Sequence, residues 1–549
     1  MNTHNAPAPC PEGPALRHSR ILRLGADATG SAEADLLTTL AAARTVISVD
    51  AALPGTVATA RLLLATLART PGRLTLVTTT IPPATVAELL AIVRCIDPEH
   101  QVDTAAEVRE HELSADTTLH LHLGTIAPRS TTGAEDRDQV EPSNGVPSAR
   151  VVADGYGAQL ARSSRVGLTQ HRTPNALGHM LAAAFAAGEA FAAAARVLPS
   201  RLHPLPHIAF CPVTLGSDLA AAPDLPDGLT IDAALLGLGA VGTAIAAILA
   251  GLPLHGHLLL ADRQTYAEEN LGTYSLGDPT DVAAARPKVD LAASALRHRY
   301  VVALHHGELS DLPARVDAGE LPWPSHVLTG LDSVPARYAA QRLWADHHID
   351  AATGDTTVGL HDAVPLGPCL HCFFPTARDG PTAEQRLAEE LGIDPALLGP
   401  DDTWTEQELS QLPPATAERL RSLVGTPKCG TAHTLGLTDL AAGEYRPSVP
   451  FVSQQAACLA VGRLLARLLG LTPTTNFFQY DTMLGPAIFN DEPRDPIATC
   501  YCQTRASIVH ATRAQRTRNH RPGVGPATVA AAERVAAIGD APGAPAFVG

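Results

Sequence analysis

A glycine loop, two close cysteine pairs and a cysteine beside a lysine carry the chemistry that this 549-residue sequence offers. Gly237-Leu238-Gly239-Ala240-Val241-Gly242 follows an apolar run and opens an alanine-rich one. In such a loop the first glycine permits a tight turn, the second lets a phosphate approach the backbone, and the third allows a helix to pack closely on a strand. The helix N-terminus then faces the phosphates. Asp262 ends the run HLLLAD about 20 residues further on, where an acid can accept hydrogen bonds from ribose hydroxyls. The pattern fits NAD as well as ATP, so it defines a nucleotide site without choosing the nucleotide.

Cys369-Leu370-His371-Cys372 and Cys500-Tyr501-Cys502 supply four thiolates, the set that closes a tetrahedral structural Zn2+ site. Close pairs in a long chain without a secretory signal point to metal rather than disulfides. His371 sits between the cysteines of its pair and is expected to point away. Such a site ties distant segments together and contributes folding energy, with no part in catalysis. Lysine occurs only at Lys288 and Lys428. An ammonium and a guanidinium are not interchangeable at a site, which singles out both positions. Lys428 adjoins Cys429 in Thr426-Pro427-Lys428-Cys429-Gly430-Thr431, where a cation can favour thiolate. Cys95, Cys211 and Cys458 read as core.

These residues need alternating strands and helices to position them. Ile21–Gly25, Thr45–Asp50, Leu74–Thr79 and Leu119–Gly124 read as strands of a first α/β domain, residues 19–204. A long apolar helix from Asn175 to about Leu198 is expected between layers. The nearest thing to a phosphate loop there is Asp154–Leu160. A second α/β domain, residues 205–504, opens on the strand Ile231–Gly239 and ends with a helix at Ser453–Leu469 and a strand at Asn476–Tyr480. A polar insert, residues 376–424, interrupts it, with helical pieces at Ala383–Leu391 and Ala415–Leu423. Residues 1–18 read as a disordered leader. Residues 505–549 read as a flexible tail, with a short helix near Ala527–Ala537. The expected fold is a Rossmann-like, doubly wound α/β domain preceded by a second, degenerate α/β domain.

Composition narrows the function. A formal net charge of -16 argues against nucleic acid as a partner. The N-terminus lacks the apolar core of a signal peptide. Ala233–Leu260 is long enough to span a bilayer, but its glycines and the acid that follows assign it to strand, loop, helix and strand. No membrane partner is expected, and the expected compartment is the cytosol.

After Asp262 come TYAEENLGTYSLGDPTDVAAARPKVDLAASAL, LTGLDSVPARYAAQRL, GPCLHCFFP, PKCGTAHTL and CYC. In order and spacing this series, from about Ile231 to Cys502, resembles the ThiF family of adenylyltransferases, which includes ubiquitin-activating enzymes and the activators of sulfur-carrier proteins. The resemblance implies that Gly237, Gly239 and Gly242 hold the ATP phosphates and that Asp262 holds the ribose. It implies that Asn270 and Lys288 contact the phosphates, and that Asp332 binds Mg2+. Charge chemistry agrees: a carboxylate attacking a phosphate brings two anions together, and a lysine and a divalent ion neutralise what develops. PKCGT looks like the PxCT pattern around the thioester-forming cysteine of ubiquitin-activating enzymes, which implies Cys429 as nucleophile.

The implied reaction adenylates the C-terminal carboxylate of a ubiquitin-like or sulfur-carrier protein, or a peptide, ending in glycine. Transfer to Cys429 and then to a conjugating enzyme would follow. The two α/β domains would form a pseudo-symmetric pair in place of a homodimer. Two features depart from the family pattern. Thr273 stands where an arginine is usual, so Arg263, Arg286 or a partner subunit must supply that charge. The second cysteine pair is one residue short of CxxC. The rival functions are adenylation without a catalytic cysteine, an NAD-dependent oxidoreductase, and a non-catalytic zinc-stapled scaffold.

Overall fold

The structure, a computed structural model, describes residues 14–29, 31–106, 117–125, 146–163, 165–195, 205–365, 367–375, 383–398, 403–426, 428, 431, 435 and 449–519. Its short apolar runs build two sheets. The first contains β1 (Arg44–Val49), β2 (Arg73–Val77), β3 (Gln101–Ala105), β4 (Thr117–Leu123), β5 (Ser148–Asp154), β6 (Gly157–Ala161) and β7 (His207–Phe210), in the order β3-β2-β1-β4-β5-β6-β7. The second contains β8 (Thr230–Leu236), β9 (His255–Asp262), β10 (Tyr300–His306), β11 (His326–Thr329), β12 (His347–Gly354), β13 (Thr357–Ala363), β14 (Phe477–Asp481) and β15 (Phe489–Asn490), in the order β10-β9-β8-β11-β12-β13-β14-β15. From β3 to β5 the pairings are parallel, and those to β6 and β7 are antiparallel. From β10 to β12 they are again parallel, and those to β13, β14 and β15 antiparallel. The two halves repeat one topology, with β15 added at the second edge.

Two apolar helices fill the space between the sheets. Ala176–Ala195 is buried almost all round, and so is Pro450–Leu468. They meet through Phe191 and Phe451, ring centroids 5.4 Å apart. Ala176–Ala195 is long and apolar enough to cross a membrane, but it lies in the core, where most of its surface is covered by protein. The stretch Ala233–Leu260 resolves into β8, the helix Ala240–Gly251 and β9.

Several sequence expectations need correction. Ile21–Gly25 is helical, inside Pro14–Thr29, which also brings residues 14–18 out of the expected leader. Arg17, Ile21 and Leu24 are all buried, a spacing of four and three that suits one helix face, and five residues are too few to tell strand from helix by period. Asp154–Leu160 is the turn and second strand of the β5–β6 hairpin, with Gly155 at φ +57°. The first sheet takes its last strand from beyond Pro204. Cys95 is exposed rather than core, while Cys211 and Cys458 are buried. The helix expected near Ala527–Ala537 lies outside the described residues.

The tail is also more ordered than its composition suggests, because Ala506–Asn519 forms a helix. Arg516 anchors it, donating to both carboxylate oxygens of Asp317 at 2.7 and 2.9 Å and to the carbonyls of Arg342 and Leu343. Arg516→Ala is expected to cost about 1–3 kcal/mol through these lost bonds. Protease cleavage within 506–519, faster than in the parent protein, is the readout.

The chain divides into two compact units, Met1–Leu16 with Pro375–Arg446, and Arg17–Phe374 with Pro447–Gly549. Both sheets belong to the second. The insert is helical at Ala383–Leu391, Glu406–Leu409 and Pro414–Leu420. It has its own core of Leu387, Leu391, Trp404, Leu409, Leu420 and Leu423.

Candidate active site and metal centre

The chain leaves β8 toward β9 on one side of the second sheet, while β11 pairs on its other side. The crevice outside the strand ends at such a switch point is where doubly wound sheets bind ligands. Gly237, Leu238 and Gly239 lie at the end of β8, and Gly330, Leu331 and Asp332 at the end of β11. Gly237 is left-handed, at φ +81°. A Cβ on Gly242 would come 2.0 Å from the Gly237 carbonyl oxygen, and one on Gly330 would come 2.6 Å from Val241. Both glycines therefore set how closely the helix Ala240–Gly251 approaches the strand ends, and Gly239 caps that helix.

Asp262 holds the loop from the next strand. Its Oδ2 accepts from the Leu238 N–H at 2.7 Å and its Oδ1 from the Gln264 N–H at 2.8 Å. Each carboxylate oxygen keeps further acceptor capacity for a ribose hydroxyl. Asn270 is buried, and its Oδ1 accepts from the Ala267 N–H at 2.9 Å, so its amide oxygen caps the helix Glu268–Leu271. Lys288 opens the helix Lys288–Leu296 and is only 4% exposed. Its ammonium donates to Gln264 Oε1 and lies 5.1 Å from the centre of the Tyr274 ring. Asp332 is exposed. The neighbouring Ser333 caps the next helix, accepting from the Ala336 N–H at 3.3 Å, so capping does not occupy Asp332.

Tyr274 joins these groups. Burial pushes its phenol far up, Arg20 opposes the rise, and the negative charges of Asp262, Glu269 and Asp332 add to it. Its hydroxyl faces Gly239. Thr273, in place of the family's arginine, is 1% exposed. The two arginines considered as substitutes are engaged elsewhere, Arg263 with Glu308 at 2.9 Å and Arg286 with Asp281 at 2.8 Å. Arg20, from the helix Pro14–Thr29, comes within 4.0 Å of Glu269.

The equivalent point of the first sheet has no glycine loop. β1 leads through Asp50–Gly55 into the helix Thr56–Leu67, so a carboxylate stands where the second half has Gly237. The Asp50 N–H donates to the Leu123 carbonyl at 2.8 Å, and its Oδ1 accepts from the Ala52 N–H at 3.2 Å. A Cβ on Gly124 would come 2.7 Å from His122 Nε2 and 2.9 Å from the Asp50 Cβ. A carboxylate and an imidazole thus lie close to the Gly124 backbone at this strand end.

Sequence reasoning missed a polar cluster beside the second crevice. Asp350 accepts from Thr329 Oγ1 at 2.6 Å and from Arg337 Nε at 3.2 and 3.3 Å, and pairs with His361 Nδ1 at 3.2 Å. Burial alone would raise its pKa, but Arg337, His361 and Thr329 outweigh burial and hold it well below the usual carboxylate range. An acid inside the strand HHIDAATG was the available signal.

Cys369, Cys372, Cys500 and Cys502 converge, with their sulfurs all within 4.8 Å of one another. The shortest contacts, Cys369 to Cys500 and Cys372 to Cys502, are 3.6 Å. Cys372 also accepts from the Ile497 N–H at 3.4 Å, the kind of outer bond that orients a metal thiolate. His371 turns away and stacks on Tyr338 at 3.6 Å. The shortened CxC spacing still serves because Cys500 caps the helix Tyr501–Thr504, which carries Cys502. Four cysteines so placed can bind a metal ion.

Cys429 lies outside the described residues. Lys428 is buried just after the insert, its ammonium 2.7 Å from Glu408 Oε1 and 5.2 Å from the Trp404 ring centre. Glu408 thus offsets the charge of the buried ammonium. Thr431 accepts from Trp404 Nε1 at 2.9 Å.

No curated protein matches the chain. The crystal structure of selenomethionine PaaA aligns with 37% of this chain and 72% of its own at 12% identity, with a TM-score of 0.26. The ThiF family model matches residues 228–499, the span that contains the glycine loop, Asp262, Asn270, Lys288, Asp332 and the first cysteine pair. Residues 228–499 of the chain are thus a domain of the ThiF family of adenylyltransferases.

Proposed function

We propose that this chain activates a ubiquitin-like or sulfur-carrier protein, adenylating its C-terminal glycine carboxylate with ATP. One observation carries this reading: of two halves with one topology, the second has a glycine loop flanked by Asp262, Lys288 and Asp332 at the strand ends, whereas the first has Asp50 where that loop would begin. The first half is then a degenerate counterpart, and the pair takes the place of a homodimer. The substrate carboxylate attacks the α-phosphorus of ATP, the bond to the β-phosphate oxygen breaks, and pyrophosphate leaves. Gly237, Gly239 and Gly242 receive the phosphates, Asp262 the ribose, and Asn270 and Lys288 the phosphate charge. Mg2+, when bound at Asp332, neutralises phosphate charge. Arg20 is the cation we assign in place of the arginine missing at Thr273.

In a second step the Cys429 thiolate attacks the acyl carbonyl, a thioester forms and AMP leaves. A conjugating enzyme accepts the acyl group. Zn2+ at Cys369, Cys372, Cys500 and Cys502 is structural, and the setting is cytosolic.

ATP–pyrophosphate exchange with small glycine-terminated proteins tests the first step. No exchange with any of them, together with no ATP binding, sinks the reading. Cys429→Ala should retain exchange but lose the thiol-sensitive adduct on a non-reducing gel. An adduct that persists removes Cys429 from the mechanism. NAD binding without exchange would instead favour an oxidoreductase.

A further inference from the structure

The segment that overlies the glycine loop is held by the half of the molecule that has no such loop. After β9 the chain passes Tyr266, the helix Glu268–Leu271 and Gly272 on its way to Gly277. It carries Asn270 and Tyr274, and the Tyr274 ring supports the Lys288 ammonium. Gly272 packs directly on the main chain of the helix Pro14–Thr29: a Cβ there would come 2.0 Å from the Arg17 carbonyl oxygen. Arg69 follows the helix Thr56–Leu67 of the first half and crosses to the same segment. Its Nη1 donates to the Leu271 carbonyl at 2.7 Å and its Nη2 to the Gly277 carbonyl at 3.0 Å.

Arg69 is 3% exposed, and a buried guanidinium needs acceptors for its donors. Here main-chain carbonyls at the two ends of one short stretch provide them. Leu271 closes a helix of four residues, so its carbonyl has no donor within that helix. A planar guanidinium can bridge two separated acceptors, which a single ammonium does less well.

We propose that Arg69 is a positioning residue for the nucleotide site. By fixing both ends of Leu271–Gly277 it holds Asn270 and Tyr274 over the glycine loop, so the degenerate half sets the geometry of the active one. The proposal rests on the nucleotide site put forward above.

The test uses Arg69→Gln in the full-length chain. Without nucleotide, hydrogen exchange in peptides covering 268–278 should rise about tenfold, the consequence of losing two buried bonds, while β8 and β9 keep their parent rates. Parent rates in 268–278, or equal loosening throughout the sheet, overturn the clamp. MgATP affinity measured by calorimetry should fall about tenfold, and unchanged affinity with a loosened segment overturns the link to the nucleotide. A parent protein that does not bind MgATP sinks the adenylation reading, and the exchange rates still decide the clamp. If Arg69→Gln does not fold, Arg69→Lys, which can keep one of the two bonds, is read in the same way: rates between parent and tenfold support the clamp, and parent rates overturn it.

Discussion

Lys288→Ala should lower ATP–pyrophosphate exchange by about 100- to 1,000-fold, the scale seen when one preorganised charge-stabilising group is removed from a transition state. The ammonium is buried beside Gln264 and over Tyr274, so its field is poorly screened by water. It projects from the first turn of the helix Lys288–Leu296 toward the segment that carries Asn270. The chain's other lysine, Lys428, pairs instead with Glu408. Lys288→Arg should not restore the rate, because a wider, planar cation cannot occupy the same enclosed position. Initial exchange rates at saturating small protein, with circular dichroism to confirm folding, measure the effect. A loss of less than about threefold, under 1 kcal/mol of transition-state stabilisation, would remove Lys288 from the chemistry.

The second large effect is expected at the cysteine cluster. Cys372→Ser should abolish tight zinc binding and lower the melting temperature by about 5–15 °C, a shift of several kcal/mol for a domain of this size. The site joins residues 369–372 to 500–502 across a long stretch of chain, so the metal closes a large loop and its loss frees both ends. Metal content by atomic absorption should be about one zinc per chain in the parent and none in the variant. Acidification should release the metal, because protons compete for the thiolates that bind it. A parent protein purified without chelator and free of zinc, or a variant melting at the parent temperature, contradicts the assignment.

Much of the second half could be read directly. The strand ending at Leu236, the glycine loop and the acid at Asp262 are local in sequence, and each glycine's reason is local too. The four cysteines could be paired because two short spacings on thiolates admit few alternatives. The run Ile21–Gly25 misled because five apolar residues fit a strand as well as a helix. The helix Ala506–Asn519 escaped notice because its anchor, Asp317, lies far away in the chain.

Lys428 shows the limit most clearly. The sequence shows its neighbour Cys429, and the fold adds Glu408 and Trp404 as contacts of its ammonium. A buried cation is stabilised by a carboxylate that offsets its charge, and that carboxylate lies 20 positions away in the sequence.

The glycine loop, its acid, the cysteine pairs and the scarcity of lysine were set by the sequence alone, because each depends on residue type at short spacing. The tertiary structure decided the rest. It showed two halves with one topology, Asp50 and His122 close to Gly124 in the first, and Arg69 and the helix Pro14–Thr29 in contact with residues 271–277 of the second. These depend on residues brought together from far apart in the chain, 202 positions for Arg69 and Leu271, and no local periodicity encodes such a meeting.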